Sequence, residues 1–442
     1  MQLNITGSAG NHLELLPNGL RVVAASIPYL HSAELALYLK VGGRNDPPGK
    51  QGLAHFLEHM LFKGTEDFPL SSDIENAFEM IGGAVNASTD EECTCFFSRV
   101  HPDKLPDGVS ILASMILRPL LNDIEIERKI ITEEALDDLS ENGEEINPHN
   151  LASRMLWPDH PLGEPTIGGL ESIASFDLED LRGHLAKYYL PSNAVLVAAG
   201  NFDQQRFFQA ARDCFSGWAD GDLPSFQPVS TNQTEPQSVF VADSDSQAHL
   251  QLSFRGYARS DERLMALRLL RRILCGGGSS RLHLNLRERL GIVYSVDANI
   301  AAYEETGYFS IELSTGSENL VRAVSEVLQE LDLLSTEAVS ADELERVRSS
   351  YFYELDYSRD SCFEMQIRYG WGELMQVVRQ IEEDIDQALK ISSGCLRDLA
   401  RALFTPENLN LVVVGSWSEK EKTAVLVEVE NFSNKWKKRV SI

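Results

Sequence analysis

The sequence predicts an α/β (α+β) fold made twice, in which each half is a mixed β-sheet flanked by helices. Short stretches rich in β-branched residues alternate with longer stretches of helical period, and two pairs of similar segments recur at one spacing. The 442 residues also exceed what one hydrophobic core usually organises. With 43% hydrophobic and 24% charged residues, the chain has the composition of a folded protein.

The internal repeat is visible in two pairs of segments. The segment LALYLKVGGRND ends at Asp46, and the similar LQLSFRGYARSD ends at Asp261. The segment PSNAVLVAAG begins at Pro191, and PENLNLVVVG begins at Pro406, which is the same displacement along the chain. Because two independent pairs share one spacing, we predict a duplicated unit of about 215 residues.

The predicted halves are residues 1–218 and 240–442, and residues 219–239 form the linker between them. The linker is rich in Pro, Ser, Thr, Gln and Asp and has little periodicity, which is typical of an extended connection. Within the halves, the predicted strands in chain order are LRVVAAS, AELALYLKV, TCFFSRV, SVFVAD, HLQLSF and YFSIEL.

The helices predicted in the first half include three near the motifs. The first, GLAHFLEHMLFKG, follows a Gly-Lys-Gln-Gly turn. The second, SSDIENAFEMIGG, offers Ser72 as a cap and Gly82 as a stop. The third, DIEIERKIITEEALDDL, keeps a helical period. The first and third helices carry the residues from which we predict a function.

Net charge, cysteine spacing and apolar segments indicate the class of protein and the class of its partners. With 39 Lys and Arg against 67 Asp and Glu, the formal charge of −28 argues against nucleic-acid or anionic-membrane binding and favours basic or neutral partners. The six cysteines include no C-x-x-C pair, so we expect reduced thiols, with Cys93 and Cys95 packing on one face of a strand. Because the sequence has neither a signal-peptide pattern nor an apolar stretch of about 18 residues, we expect a soluble, cytoplasmic protein.

The sharpest motif is HFLEH, residues 55–59, in a stretch whose apolar residues recur at helical spacing. His55 and His59 are four residues apart, so on a helix their imidazoles project from one face and can bind one metal ion. Glu58 lies close to the same face, where it could accept a proton from a water activated by Zn²⁺. The motif predicts a catalytic centre with one Zn²⁺ per subunit, whereas the alternative is two histidines on an ordinary helix face.

A catalytic zinc ion needs a third protein ligand, and carboxylate is a common choice. In IERKIITEEALDD, Glu127 and Glu134 are seven residues apart and share a helix face, whereas Glu133 points about 100° away. We predict Glu134 as the third ligand, with Glu127 supporting the ligands from behind. The alternative for Glu127 and Glu133 is a solvated acidic face, which is what we expect for Glu133.

These residues closely resemble those of the pitrilysin-type (M16) zinc metallopeptidases. H-x-x-E-H is the reverse-order inverzincin motif, and GLAHFLEHMLFKGT and ERKIITEE resemble the family's two metal-binding segments. The gap from His59 to Glu134 falls within the narrow range that the family keeps, so the resemblance selects Glu134 over Glu133. IGGAVNASTDEECTCFF resembles the family's GG-x-x-NA-x-T segment, which implies that Asn86, on an edge strand, holds the substrate backbone by strand addition. HPLGEPTIGG, from His160, is a further family-like stretch that we interpret as structural.

The second half lacks a zinc motif, because HFLEH shifted by the repeat spacing falls on LRRIL. The stretch CGGGSSRLHLNLRERLGIVYSV carries Gly276, Gly277 and Gly278, followed by Arg287 and Tyr294. The glycines lack the G-K-[ST] of a phosphate loop, and we predict instead a flexible loop that faces the substrate. The resemblance implies that Arg287 binds a substrate carbonyl and that Tyr294 donates to the oxyanion, whereas each residue taken alone is typical of a structural role.

The resemblance covers nearly the whole chain and points to the two-domain subgroup of mitochondrial processing peptidase and its bacterial relatives. Such subunits pair as half-shells, which implies a homodimer that encloses a chamber for short or unfolded peptides, with basic peptides favoured by the acidic charge. In the homodimer, Arg287 and Tyr294 are expected to complete the zinc site of the opposite subunit. Two alternatives stay open: a non-catalytic peptide-binding or assembly subunit, and a dedicated protease that matures one precursor peptide.

Overall fold

The computed structural model describes residues 11–230 and 232–440. Within them the chain divides into two compact units. The first unit takes its described residues from Met1–Ala135, Glu164–Phe226 and Leu355–Arg379, and the second from Leu136–Gly163, Gln227–Glu354 and Gln380–Ile442.

The strands are β1 Asn11–Leu15, β2 Arg21–Ser26, β3 Ala33–Leu39, β4 Val85–Thr89, β5 Thr94–Val100, β6 Ala194–Gly200, β7 Gln237–Ala242, β8 Gln247–Arg255, β9 Val296–Ala302, β10 Gly307–Gly316 and β11 Asn410–Gly415. The helices are α1 Leu53–Met60, α2 Ser71–Glu79, α3 Leu105–Leu117, α4 Ile124–Leu136, α5 Pro148–Leu156, α6 Leu170–Ser175, α7 Leu178–Tyr188, α8 Gln204–Phe215, α9 Leu264–Cys275, α10 Leu320–Thr336, α11 Ala341–Ser358, α12 Cys362–Gln366, α13 Gly372–Leu374, α14 Ile381–Lys390, α15 Ser393–Leu403 and α16 Glu419–Val440. Two π-helical stretches lie at His283–Arg289 and Ile367–Trp371.

Among the described residues, each unit contains one mixed β-sheet, as the sequence predicts. The first sheet has the order β1-β2-β6-β3-β5-β4, and the second has the order β7-β11-β8-β10-β9. In each sheet one neighbouring pair is parallel, β2 with β6 and β7 with β11, and the other neighbours are antiparallel. The predicted fold class, two mixed sheets flanked by helices, is therefore confirmed.

The two sheets repeat each other strand by strand. Without β1, the first sheet has the same strand order as the second. Ala33 pairs with Gly200 in the first sheet, and Ala248 pairs with Gly415 in the second, so both partners are displaced by the repeat spacing. The spacing found in the sequence is therefore also the spacing of the sheet register.

Each unit also takes in one helical segment from the other half of the sequence. Residues 136–163 belong to the second unit, where α5 packs on β8 and β11, and residues 355–379 belong to the first unit, where α12 packs on β3 and β6. The predicted halves, 1–218 and 240–442, do not include this exchange. A helix leaves no local sequence signal of which sheet its apolar face will cover.

Three local expectations differ from the structure. Ser72 does not cap α2 but lies inside it, and the first turn is closed by Asp73, whose carboxylate accepts the backbone N–H of Leu70 at 3.0 Å. Cys93 lies in the turn before β5 rather than in the strand, although Cys93 and Cys95 are both buried, as thiols outside any disulfide. The linker ends sooner than predicted, because β7 begins within it.

The first unit's hydrophobic core holds α1, the helix that carries HFLEH, in place. Phe56, Leu57 and Met60 of α1 are fully buried in this core, so only the opposite face of α1 is available to functional side chains.

Among the residues that the structure describes, no helix combines the length and the apolar character needed to cross a bilayer.

Candidate metal centre

Helix α1 begins on a buried carboxylate. Asp46 accepts the backbone N–H of Gly52 at 2.7 Å and that of Ala54 at 2.9 Å, and it is only 7% exposed. These two bonds satisfy donors that a helix start leaves without partners and place negative charge at the positive end of the helix dipole. Sequence reasoning missed Asp46, because it lies too far before the helix to match a capping pattern.

The structure brings His55, His59 and Glu134 together on one face of the first unit. Nε2 of His55 lies 3.9 Å from Oε1 of Glu134, and Nε2 of His59 lies 3.9 Å from Oε2 of the same carboxylate. One ligand atom from each residue lies within 4.8 Å of the others. Glu133 does not join this group and is exposed on α4, as the sequence predicts.

Glu127 supports the group from behind, on the helix face that it shares with Glu134. Its Oε2 lies 3.1 Å from Nδ1 of His59, and its Oε1 pairs with the ammonium group of Lys63. Because a carboxylate accepts hydrogen bonds, Nδ1 of His59 carries the hydrogen and Nε2 is left with a free lone pair. Glu127 is only 2% exposed, so the lysine balances a buried charge.

The chemistry of this donor set fits zinc. Two imidazole nitrogens and one carboxylate are a usual set of protein ligands in catalytic zinc sites, which keep a fourth position open. Ligand atoms about 2.1 Å from a tetrahedral ion lie about 3.4 Å apart, so the observed 3.9 Å contacts need only small movements. Burial, together with the nearby His59, lowers the pKa of His55 to about 4, which keeps its imidazole in the neutral form that binds metal.

Glu58 lies on the same helix and is not one of the grouped ligands. The residue is 7% exposed, and its Oε2 accepts a hydrogen bond from Oγ1 of Thr89 at 2.5 Å. Burial raises the pKa of Glu58, while the hydrogen bond from Thr89 and the nearby His59 oppose that rise. A carboxylate with a raised pKa is suited to exchange a proton near neutral pH. Sequence reasoning missed Thr89, although it is the threonine of the NA-x-T segment.

Asn86 lies on β4, the edge strand of the first sheet. The strand pairs with β5 on one side, and its other side has no strand partner among the described residues. The side chain of Asn86 is exposed, and its Nδ2 donates only a long bond, 3.4 Å, to the carbonyl of Ala84. Asn86 is therefore an exposed residue on an edge strand, which is the position that strand addition requires, and its substrate role stays a prediction.

The three glycines follow α9 in the second unit. A Cβ on Gly276 would lie 2.5 Å from the carbonyl oxygen of Arg272, and Gly277 has a φ of +122°, so both positions require glycine. A Cβ on Gly278 would meet only the far end of His283, at 3.9 Å. The stretch forms an exposed turn, and its predicted contact with substrate stays a prediction.

Arg287 and Tyr294 also lie in the second unit. Arg287 is on the first π-helical stretch, and its guanidinium lies 5.4 Å from the ring centroid of Tyr294. The ring is 81% exposed, which leaves its hydroxyl available to a ligand. Arg281, near the start of this stretch, is held by the carboxylates of Glu330 at 2.8 Å and Glu343 at 2.7 Å. The stretch is thus firmly anchored, and the roles of Arg287 and Tyr294 stay predictions.

His160 is packed inside the second unit. Its Nε2 lies 3.0 Å from the carbonyl oxygen of Gln227, and its Nδ1 accepts the backbone N–H of Leu162 at 3.1 Å. The side chain is buried, which agrees with the structural interpretation of HPLGEPTIGG.

Comparisons with known protein sequences place this chain in a family. Residues 21–169 match the family described as Insulinase (Peptidase family M16), and residues 175–351 match the Peptidase M16 inactive domain. An uncharacterized zinc protease of Rickettsia felis is 32% identical over 399 residues, which cover 87% of this chain and 95% of that protein. An uncharacterized zinc protease of Bacillus subtilis is 30% identical over 88% of this chain and 95% of its own length.

Solved structures show the same fold. A protease from Helicobacter pylori superposes with a TM-score of 0.85 over 92% of this chain and 100% of that chain, at 20% identity. A putative M16-like peptidase from Alicyclobacillus acidocaldarius superposes with a TM-score of 0.78 over 94% of this chain and 100% of that chain, at 18% identity. At such identities the likeness concerns the fold alone, whereas the sequence matches carry the family. The chain belongs to the pitrilysin-type M16 family of peptidases.

Proposed function

We propose that this protein is a zinc-dependent endopeptidase that cleaves short or unfolded peptides. The observation that carries the proposal is that His55 and His59 of α1 converge with Glu134 of α4. The buried residue Glu58 lies on α1 between the two histidines. The names of the relatives, zinc proteases, support the same metal and reaction class.

The ligands and Glu58 divide the chemical work. A zinc ion held by His55, His59 and Glu134 would act as a Lewis acid and lower the pKa of a coordinated water. Glu58 accepts a proton from the water that attacks the peptide carbonyl and later returns it to the amine of the departing fragment. Glu127 keeps His59 in the tautomer whose Nε2 faces the other ligands.

Substrate binding is proposed at β4. An extended peptide pairs with the open side of this edge strand, and Asn86 holds its backbone. Arg287 binds a substrate carbonyl, and the exposed hydroxyl of Tyr294 donates to the oxyanion. The formal charge of −28 favours basic peptides through long-range attraction.

We further propose that the active form is a homodimer of the mitochondrial processing peptidase type, which encloses the substrate in a chamber. In this arrangement Arg287 and Tyr294 serve the zinc site of the opposite subunit. A chain that carries both the zinc motif and the Arg–Tyr pair supports a homodimer, since each copy supplies what the other needs.

A direct experiment is cleavage of an unstructured basic peptide, followed by mass spectrometry, with and without a zinc chelator. The proposal expects internal cuts that the chelator abolishes and that added Zn²⁺ restores. Cleavage that persists after complete zinc removal would contradict it.

One observation favours a second candidate, a non-catalytic peptide-binding subunit. Residues 175–351 match a domain described as the inactive domain of M16 peptidases. The match falls outside His55, His59 and Glu134, however, so it leaves the proposed zinc ligands unaffected. Peptide binding without any cleavage by the zinc-loaded protein would support this candidate.

A further inference from the structure

Thr89 connects the edge strand to the proposed proton acceptor. It is the last residue of β4, and its hydroxyl donates to Oε2 of Glu58 at 2.5 Å. The β-branched side chain of threonine has few rotamers in a strand, whereas the glutamate side chain turns about three bonds. The threonine therefore restricts the glutamate rather than the reverse.

The turn after β4 keeps Thr89 in place. Asp90 accepts the backbone N–H of Glu92 at 2.7 Å and that of Cys93 at 2.6 Å, which closes the turn from β4 to β5. Thr89 pairs in register with Thr94 of β5, and Oγ1 of Thr94 donates to the carbonyl of Val41 at 2.8 Å. The end of β4 is thus held by the turn that follows Thr89 and by the pairing of Thr89 with β5.

The same turn is bonded to the loop that leads into α1. The backbone N–H of Gly43 donates to the carbonyl of Asp90 at 3.0 Å, and that of Arg44 donates to the carbonyl of Glu91 at 2.9 Å. The side chains of Arg44 and Glu92 form an ion pair in which they are only 3% and 5% exposed.

The approach of the two segments is close. A Cβ on Gly42 would lie 2.1 Å from the carbonyl oxygen of Asp90, so no larger residue fits there. Asp46, which caps α1, lies four residues further along this loop. The end of β4 is therefore bonded to the same loop whose Asp46 caps α1. The hydrogen bond from Thr89 to Glu58 is a second, direct connection between β4 and α1.

We propose that Thr89 is a positioning residue that orients Glu58 for proton transfer and makes this orientation depend on the strand to which a peptide adds. Thr89 occupies Oε2, so Oε1 of Glu58 is the atom that takes the proton. The inference rests on the proposed peptidase function and adds to it a residue outside the zinc ligands. It predicts that the hydroxyl of Thr89 matters for turnover and not for zinc or peptide affinity.

The test compares Thr89→Val, which keeps the shape and removes the hydroxyl, with Thr89→Ser, which keeps the hydroxyl. Thr336→Val is the matched control, because the Thr336 hydroxyl bonds only to carbonyls of its own helix among the described residues. We expect Thr89→Val to lower kcat by about tenfold to a hundredfold with KM and zinc content unchanged, since general-base catalysis by a side chain contributes about a hundredfold or more. Thr89→Ser should retain most of the wild-type kcat.

Several results would overturn the proposal. One is a wild-type kcat in Thr89→Val, and another is a loss of kcat in Thr89→Ser as large as that in Thr89→Val. A third is a Thr89→Val protein whose lower kcat is accompanied by a lower zinc content, or by a Tm lower than that of Thr336→Val. In the Glu58→Gln background, Thr89→Val should change the residual rate no further, and an additional loss of tenfold would also contradict it.

A second measurement separates this inference from the proposed function. If the wild-type protein cleaves no peptide, the proposed function is wrong, and crystal structures of the wild type and Thr89→Val still test the positioning role. We expect the Glu58 carboxylate to leave its position in the variant. An unmoved Glu58 would show that Thr89 does not orient it.

Discussion

Nδ1 of His59 donates to the carboxylate of Glu127 across 3.1 Å, and this contact determines how His59 can act. With Nδ1 protonated, Nε2 is the nitrogen that can bind a metal, and it is the nitrogen that lies 3.9 Å from Glu134. Lys63 balances the charge of Glu127, which is buried behind the site. The histidine is therefore oriented before any metal arrives.

Replacing Glu127 tests this orientation. Glu127→Gln removes the charge that pairs with Lys63 and weakens the acceptor of His59, so we expect zinc affinity to fall by about tenfold to a hundredfold. The affinity is measured by competition with a chromophoric chelator. Glu133→Gln, an exposed position on the same helix, is the control and should bind zinc like the wild type. Equal affinities of the two variants would show that Glu127 does not support the site.

Glu58→Gln tests the proton acceptor. The amide can still accept the hydrogen bond from Thr89, so the fold, the Tm and the zinc content should match those of the wild type. Because an amide cannot take the proton of water, kcat should fall by about a hundredfold to ten-thousandfold. A variant that keeps the wild-type kcat would remove Glu58 from the mechanism.

Mixed dimers test the proposed action of Arg287 across subunits. A His59→Ala protein and an Arg287→Ala protein should each be inactive, and their mixture should form heterodimers with one intact site. Random exchange of subunits would restore about a quarter of the wild-type sites. The control mixture of His59→Ala with Glu134→Ala loses the same site in both chains and should stay inactive. A first mixture that is as inactive as the control would exclude the trans arrangement.

His184 makes stability depend on pH. It is 3% exposed on α7, and neither ring nitrogen has a hydrogen-bond partner among the described residues. Burial, with a smaller effect of Lys187, lowers its pKa to about 3. The folded protein therefore keeps this ring neutral, whereas the unfolded chain binds a proton below about pH 6.5. Stability is complete above that pH and is lost as the pH falls toward 3.

The comparison of His184→Leu with the wild type isolates this effect. Between pH 7 and pH 5, the free energy of unfolding of the wild type should fall by about 2 kcal/mol more than that of His184→Leu. Urea unfolding in the presence of a chelator measures the difference without a contribution from zinc loss. His31→Leu, at an exposed position, is the control. Parallel pH curves for the wild type and His184→Leu would contradict the prediction.

The features that the sequence predicted are those that depend on local spacing or on repetition. His55 and His59 are four residues apart, and helix geometry alone places them on one face. The duplication was visible because strand pairs such as Ala33 with Gly200 and Ala248 with Gly415 preserve the repeat spacing of the sequence. For Glu134, helix geometry gave the face that it shares with Glu127, and the family's spacing between the two metal-binding segments then supported the choice of Glu134 over Glu133.

The features that the sequence did not predict arise from contacts between distant segments. Asp46 reaches Gly52 and Ala54 across a loop, and Thr89 reaches Glu58 from a strand 31 residues away. Neither contact has a fixed spacing that a pattern could reveal. The exchange of helical segments between units has the same cause, since the burial of α5 on β8 and β11 is decided by the complete fold.

The most direct measurement is anomalous X-ray diffraction at the zinc absorption edge from crystals of the zinc-loaded protein. We predict one strong peak per subunit, about 2.0–2.2 Å from Nε2 of His55, Nε2 of His59 and a carboxylate oxygen of Glu134. The peak should be absent in crystals of a His59→Ala protein. A zinc peak at another position, or none in the wild-type protein after loading, would contradict the metal centre on which the proposed function depends.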